Sequence, residues 1–180
     1  EYWRGLFGIE AGRPRFTGNG YQKLGKSSEI SRDGDGLGGV PANYLHGRRE
    51  LTAEAMQNIL IDEETLPLFS QSRIHRRRPE TLFDGPLLVM RESPPASFGR
   101  IRTAVAQSGV VFNKSFNGYS TPTQKDGLLV RYLSLVLSSK IALWQVLITS
   151  GKFGFERDTV EKATIDRLFI PTLESLSDYD

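Results

Sequence analysis

Leu128-Leu129-Val130-Arg131-Tyr132-Leu133-Ser134-Leu135-Val136-Leu137-Ser138-Ser139-Lys140-Ile141-Ala142-Leu143-Trp144-Gln145-Val146-Leu147-Ile148-Thr149 is the longest apolar run in the chain. It is too long for an ordinary strand, which predicts a helix. Asp126 precedes it and offers a carboxylate to the first free backbone amides, while Gly151 follows, where a left-handed residue commonly stops a helix. Apolar side chains cover nearly every face, so the helix is expected to be buried. The competing reading is a membrane span. Arg131 and Lys140 oppose it, because a charge near the bilayer centre costs about 2.5–3.5 kcal/mol on insertion scales. The expectation is a central core helix, a polar elbow over 150–158, and a last strand or extended segment over 165–171.

Something must pack on that helix. Gly85-Pro86 opens a short apolar strand over 87–91. Residues 103–106 and 110–113 read as a hairpin across Gln107-Ser108-Gly109, with Phe112 buried. Phe116 and Tyr119, around Asn117-Gly118, are expected as exposed turn residues. Residues 51–61 predict a short helix capped by Thr52, and Leu66-Pro67-Leu68-Phe69 an irregular apolar hook. Residues 17–47 are dense in glycine and predict a long loop. Within it, Asp33-Gly34-Asp35 starts like a calcium loop, but Leu37 and Tyr44 stand where carboxylates are needed. Its glycines also lack the preceding strand and following helix of a dinucleotide site. Residues 1–16 are either the tail of an upstream domain or a first strand. The expected organisation is an N-terminal extension or long loop over 1–50 and an α/β domain over 51–180. The expected fold class is mixed α+β, a small twisted, mostly antiparallel sheet packed on the long buried helix, with long loops.

Composition limits the chemistry. The 180 residues suffice for one domain with a core. Absence of cysteine excludes disulfides, thiolate zinc sites and cysteine nucleophiles, and two histidines are too few for a histidine-rich metal site. A net charge of +2 means that any nucleic-acid surface is a local patch. No signal peptide opens the sequence, so a cytoplasmic location is expected. The first residue is Glu1, which suggests a piece of a longer protein.

Two stretches concentrate positive charge. Arg73-Ile74-His75-Arg76-Arg77-Arg78 suits phosphate contact, or is a solvated loop balanced by Glu80 and Asp84. Residues 93–125 contain no acid, and interleave Arg100, Arg102, Lys114 and Lys125 with Phe98, Phe112, Phe116 and Tyr119. The same stretch carries Gln107, Asn113, Asn117 and Gln124. Cations neutralise phosphates, and arginine, asparagine and glutamine read base edges. In the elbow, Lys152 and Arg157 are further candidates, although Arg157 can equally pair with Glu156 or Asp158. The candidate DNA-contacting set is Arg73, Arg76, Arg77, Arg78, Arg100, Arg102, Lys114, Phe116, Asn117, Tyr119, Lys125, Lys152 and Arg157.

Several motifs occur in an order that resembles the target-recognition domains of adenine-specific DNA methyltransferases and fused restriction–modification enzymes. Tyr132-Leu133-Ser134-Leu135-Val136-Leu137-Ser138-Ser139-Lys140 resembles their leucine-asparagine-serine-lysine helix, with Ser138 where asparagine is usual. Ser150-Gly151-Lys152-Phe153-Gly154-Phe155-Glu156-Arg157-Asp158 is similar to the elbow that follows, and Leu168-Phe169-Ile170-Pro171 to the closing segment. Gly85-Pro86-Leu87-Leu88-Val89-Met90-Arg91 and Val110-Val111-Phe112-Asn113 resemble two upstream strands. The resemblance implies a domain that binds double-stranded DNA and catalyses nothing alone. Its partner would be the catalytic methyltransferase domain of the same parent chain, and S-adenosylmethionine would belong to that domain. Ser93-Pro94-Pro95 starts like the turn that holds an amino group for methylation, but Ala96 replaces the aromatic residue. A stand-alone enzyme, or an assembly domain using the 128–149 helix, are the alternatives.

Overall fold

The computed structural model describes residues 15–24, 38–93, 99–120, 127–150, 159–160, 162–165 and 168–169. Its centre is a four-stranded sheet of β1 (Arg15–Asn19), β4 (Leu87–Arg91), β5 (Thr103–Ala106) and β6 (Phe116–Ser120), ordered β1-β6-β4-β5. All three pairings are antiparallel. Two short strands, β2 (Val40–Pro41) and β3 (Arg73–Ile74), form a separate antiparallel pair. The helices that follow among the described residues are α1 (Leu128–Leu137), α2 (Lys140–Thr149) and the single turn α3 (Lys162–Ile165). The fold is α+β.

The sheet is covered on both faces. Along β4, Leu87 and Val89 join a cluster with Leu45, Leu51, Phe83 and Phe112; Leu88 and Met90 join a second one with Tyr119, Leu133, Leu137 and Val146. Alternate strand side chains point to opposite faces, so only a doubly covered strand is an unbroken apolar run. Irregular chain and 3₁₀ turns make the first layer, and α1 with part of α2 makes the second. The described residues of 1–50 pack with the rest: β1 is a sheet strand, and Tyr21, Ala42 and Leu45 are buried in the first cluster. Backbone bonds cross residue 50: the Glu50 amide donates to the Pro67 carbonyl and the Val111 amide to that of Arg49.

The long helix is in fact two, bent by 68°. Ser139 takes an extended conformation and accepts a hydrogen bond from the Ala142 amide at 3.2 Å, starting α2 afresh. Serine hydroxyls compete with the helical backbone, which makes Ser138-Ser139 the natural break. α1 starts after Gly127 at φ +67°, a conformation suited to glycine. Asp126 and Gly151, expected at the two ends, lie outside the described residues. α1 turns Leu129, Val130, Leu133, Ser134 and Leu137 inward. The Thr103 hydroxyl of β5 donates to the Ser134 carbonyl at 3.0 Å and lies 2.7 Å from the Ser138 hydroxyl, fastening helix to sheet. The core-helix expectation thus holds for α1. It fails for α2, which buries Ala142 and Val146 and exposes Ile141, Trp144, Leu147 and Ile148. Among the described residues, no single helix is long and apolar enough to cross a membrane.

Other local expectations are corrected. β5 pairs with β4, not with 110–113, and Val111 instead donates to the Arg49 carbonyl. The Glu63 carboxylate accepts from the Gln107 amide and, at 3.0 Å, from the Ser108 amide, steering the chain out of the sheet there. The 51–61 segment holds only a 3₁₀ turn, Glu54–Gln57, beside the weak Thr52 cap. Beyond it, Val105 donates to the Ile59 carbonyl (2.8 Å) and Ile61 donates to that of Val105 (2.9 Å). This segment covers the free edge of β5, a need that outweighs helix propensity. Ile165, expected in a closing strand, ends α3. Phe116 and Tyr119 are buried in β6 rather than exposed in a turn.

Phe112 is buried as expected, and its ring lies against Gly118 of β6. A side chain at Gly118 would intrude on that ring. Gly118→Val is therefore expected to destabilise the fold by about 1–3 kcal/mol, although valine favours strands. Urea unfolding measures it; unchanged stability would contradict this packing.

Candidate nucleic-acid interface

Antiparallel pairing decides which loops meet. β4 ends where β5 and β6 begin, and β1 ends beside the start of β6, with Asn19 opposite Asn117. The segments leaving or entering these strands therefore share one end of the sheet. They bring Lys23, Arg91, Arg100, Arg102 and Lys114 to that end. Arg91 and Arg102 are held together by backbone, the Arg91 amide donating to the Arg102 carbonyl at 3.0 Å. Burial lowers the pKa of the Arg102 guanidinium, and the charges of Arg91 and Arg100 lower it further, so the three are electrostatic neighbours. Arg100 is exposed, as is Lys114.

A cleft of about 330 Å³ opens beside them, lined by Lys23, Glu50, Thr52, Arg91, Asn113 and Ser115 among others. The turn at its rim is fixed. The Asn113 side-chain oxygen accepts from the Ser115 amide at 2.9 Å, and the Asn19 amide group donates to the Lys114 carbonyl at 3.2 Å. An asparagine bonding two residues ahead is a self-made turn. Behind the rim, the Tyr21 hydroxyl donates to Glu50, and the Tyr21 ring meets Phe69 edge-on at 5.2 Å. Burial, then the Glu50 hydrogen bond and charge, push the Tyr21 phenol well above its ordinary pKa.

The 73–78 run has a different place. Arg73 donates to the Gly38 and Gly39 carbonyls, both at 2.8 Å. Arg78 donates to the Gly20 carbonyl at 3.1 Å, and burial lowers its pKa, with Arg76 adding to the effect. Arg77 lies 4.5 Å above the Tyr44 ring and 3.6 Å from Glu80. Asp84 pairs with Arg48 at 2.9 Å, not with this run. Arg73 and Arg78 thus serve as backbone clamps for glycine-rich segments, where carbonyls are left without ladder partners. Arg76 is exposed.

The sequence-predicted set is therefore divided. Arg100, Arg102 and Lys114 come together at one end of the sheet. Phe116, Asn117 and Tyr119 are buried in β6 and present no face to a ligand, and Tyr119, opposite Leu88, sits toward the other end of the sheet. Lys125, Lys152 and Arg157 lie outside the described residues. Gln107 is at the opposite end, where it accepts from Arg131 at 3.1 Å. Lys23 and Arg91 were missed. The signal for Arg91 is a charge closing an apolar strand; nothing local marks Lys23, which is placed by the β1–β6 register. No protein-family model, curated protein or solved structure matches the chain.

The Tyr21 shift has a sign. A phenol whose folded pKa is raised contributes stability that is intact below the ordinary value of about 10 and is lost as pH climbs above it. Stability should hold up to about pH 9 and fall as pH climbs above about 10 in the parent chain, and fall less in Tyr21→Phe. Equal alkaline slopes in denaturant titrations would contradict the assignment.

Proposed function

We propose that this chain is a DNA-binding target-recognition domain of an adenine-specific DNA methyltransferase or a fused restriction–modification enzyme. The observation that carries the reading is the gathering of Arg91, Arg100, Arg102 and Lys114 at one end of a rigid sheet. The order of motifs along the second half of the sequence supports it. Cations at fixed spacing neutralise duplex phosphates and set register, and an arginine that reaches a base edge selects the site. Placing such groups at strand ends holds them more rigidly than a free loop would.

In this reading the partner is the catalytic methyltransferase domain of the same parent chain, which takes up the flipped adenine. S-adenosylmethionine belongs to that domain. Among the described residues the main sheet is joined by antiparallel pairs, a topology without the strand–turn–helix crossover that cradles a nucleotide-like cofactor. The role of this chain is to bind and orient duplex DNA, not to move the methyl group.

Fluorescence anisotropy with random duplex DNA across a salt series tests the proposal. Affinity should fall steeply with salt, with a log–log slope of about −0.9 per phosphate neutralised. Arg100→Ala and Arg102→Ala should each make the slope shallower by about one, and the double reversal Arg100→Glu/Arg102→Glu should abolish retention. Absence of binding at low salt, or binding indifferent to the double reversal, would overturn it.

A further inference from the structure

α2 carries an apolar face that is exposed among the described residues. Ile141, Trp144 and Ile148 follow the three-then-four spacing of one helix face, with fractional exposures of 69%, 59% and 61%. Leu147 extends it at 44%. Phe169 adds to it at 72% and is held there by the Gln145 side chain. The Gln145 side-chain amide donates to the Phe169 carbonyl at 2.9 Å and accepts from the Phe169 amide at 2.7 Å. Two hydrogen bonds thus fix an exposed phenylalanine against α2. Isolated exposed apolar residues need no explanation, but an ordered cluster of this kind marks an interaction surface.

We propose that this face pairs with the same face of a second copy, the two α2 helices lying antiparallel across a two-fold axis. Area supports a modest interface. Aromatic side chains bury about 150–250 Å² each, so the patch offers on the order of 500 Å² per copy and about 1,000 Å² in a pair, the lower bound for a specific contact. Charge supports the antiparallel sense. Lys140 is the only charged residue of α2 and sits at its N-terminal end, where it opposes the helix dipole. In an antiparallel pair, each Lys140 lies against the partner's carbonyl-bearing C-terminal end, where a cation is favoured. A two-fold contact is self-complementary, and a face built from Ile141, Trp144, Ile148 and Phe169 carries no like charges to oppose it. The inference is independent of DNA binding.

Sedimentation equilibrium of the 180-residue chain from about 1 to 300 µM tests it, that range spanning the micromolar dissociation constants expected of small interfaces. The expected result is a reversible dimer that Trp144→Glu weakens at least about thirtyfold, the scale of an interface hot spot. Ile148→Glu should act in the same direction. Both positions are exposed, so circular dichroism and melting temperature should stay unchanged. A monomer at every concentration, or a dimer unaffected by both substitutions, would overturn the proposal. So would a monomer that co-floats with phosphatidylcholine vesicles, which would assign the face to a lipid surface.

Discussion

Leu87, Leu88, Val89 and Met90 are all buried, two on each side of a strand that pairs with neighbours on both edges. Each such side chain contributes about 1.5–3 kcal/mol when removed from water, and together they require two separate covering layers. The helical layer is supplied by α1. The other is supplied by irregular chain, whose backbone groups must find partners without regular ladders. That requirement explains why so many polar side chains in this layer bond to backbone. Arg49 donates to the Leu66 carbonyl, Arg73 to Gly38 and Gly39, Arg78 to Gly20, and Glu63 receives two amides. A sheet covered by loops on one face needs such clamps, and arginine, with five donors on a long stem, is suited to the task.

The same constraint separates two kinds of arginine. Those under the loop layer hold carbonyls in place. At the end of the sheet, burial lowers the pKa of Arg102 and the neighbouring charges of Arg91 and Arg100 lower it further. Crowding like charges is unfavourable within the chain alone, and a polyanion relieves it. The densest basic run in the sequence therefore spends Arg73 and Arg78 on backbone carbonyls. The antiparallel register, meanwhile, concentrates Arg91 with Arg100 and Arg102 at one end of the sheet.

Legibility in the sequence followed from how local each cause is. Strand β4 was visible because double burial writes an unbroken apolar run between Gly85-Pro86 and Arg91. The helical run was visible for the same reason, while its division at Ser138-Ser139 depended on serines acting as a break, with Thr103 across the sheet to receive Ser138. The edge-covering path of 59–61 and the burial of Phe116 and Tyr119 depend on partners elsewhere in the chain, so no local pattern announces them. Gly118 suggested a turn, but its cause is the Phe112 ring. Arg100, Arg102 and Lys114 were found from an acid-free stretch; Lys23 and Arg91 became neighbours of that group only through strand register.

In the proposed reading, duplex DNA faces the end of the sheet where β4 stops and β5 and β6 start. Hydrogen–deuterium exchange with and without duplex DNA at low salt checks this. Added protection is expected in peptides spanning 99–102 and 113–115, with residues 107–109 and 127–131 at the far end unchanged. Protection confined to 107–109 and 127–131 would contradict it.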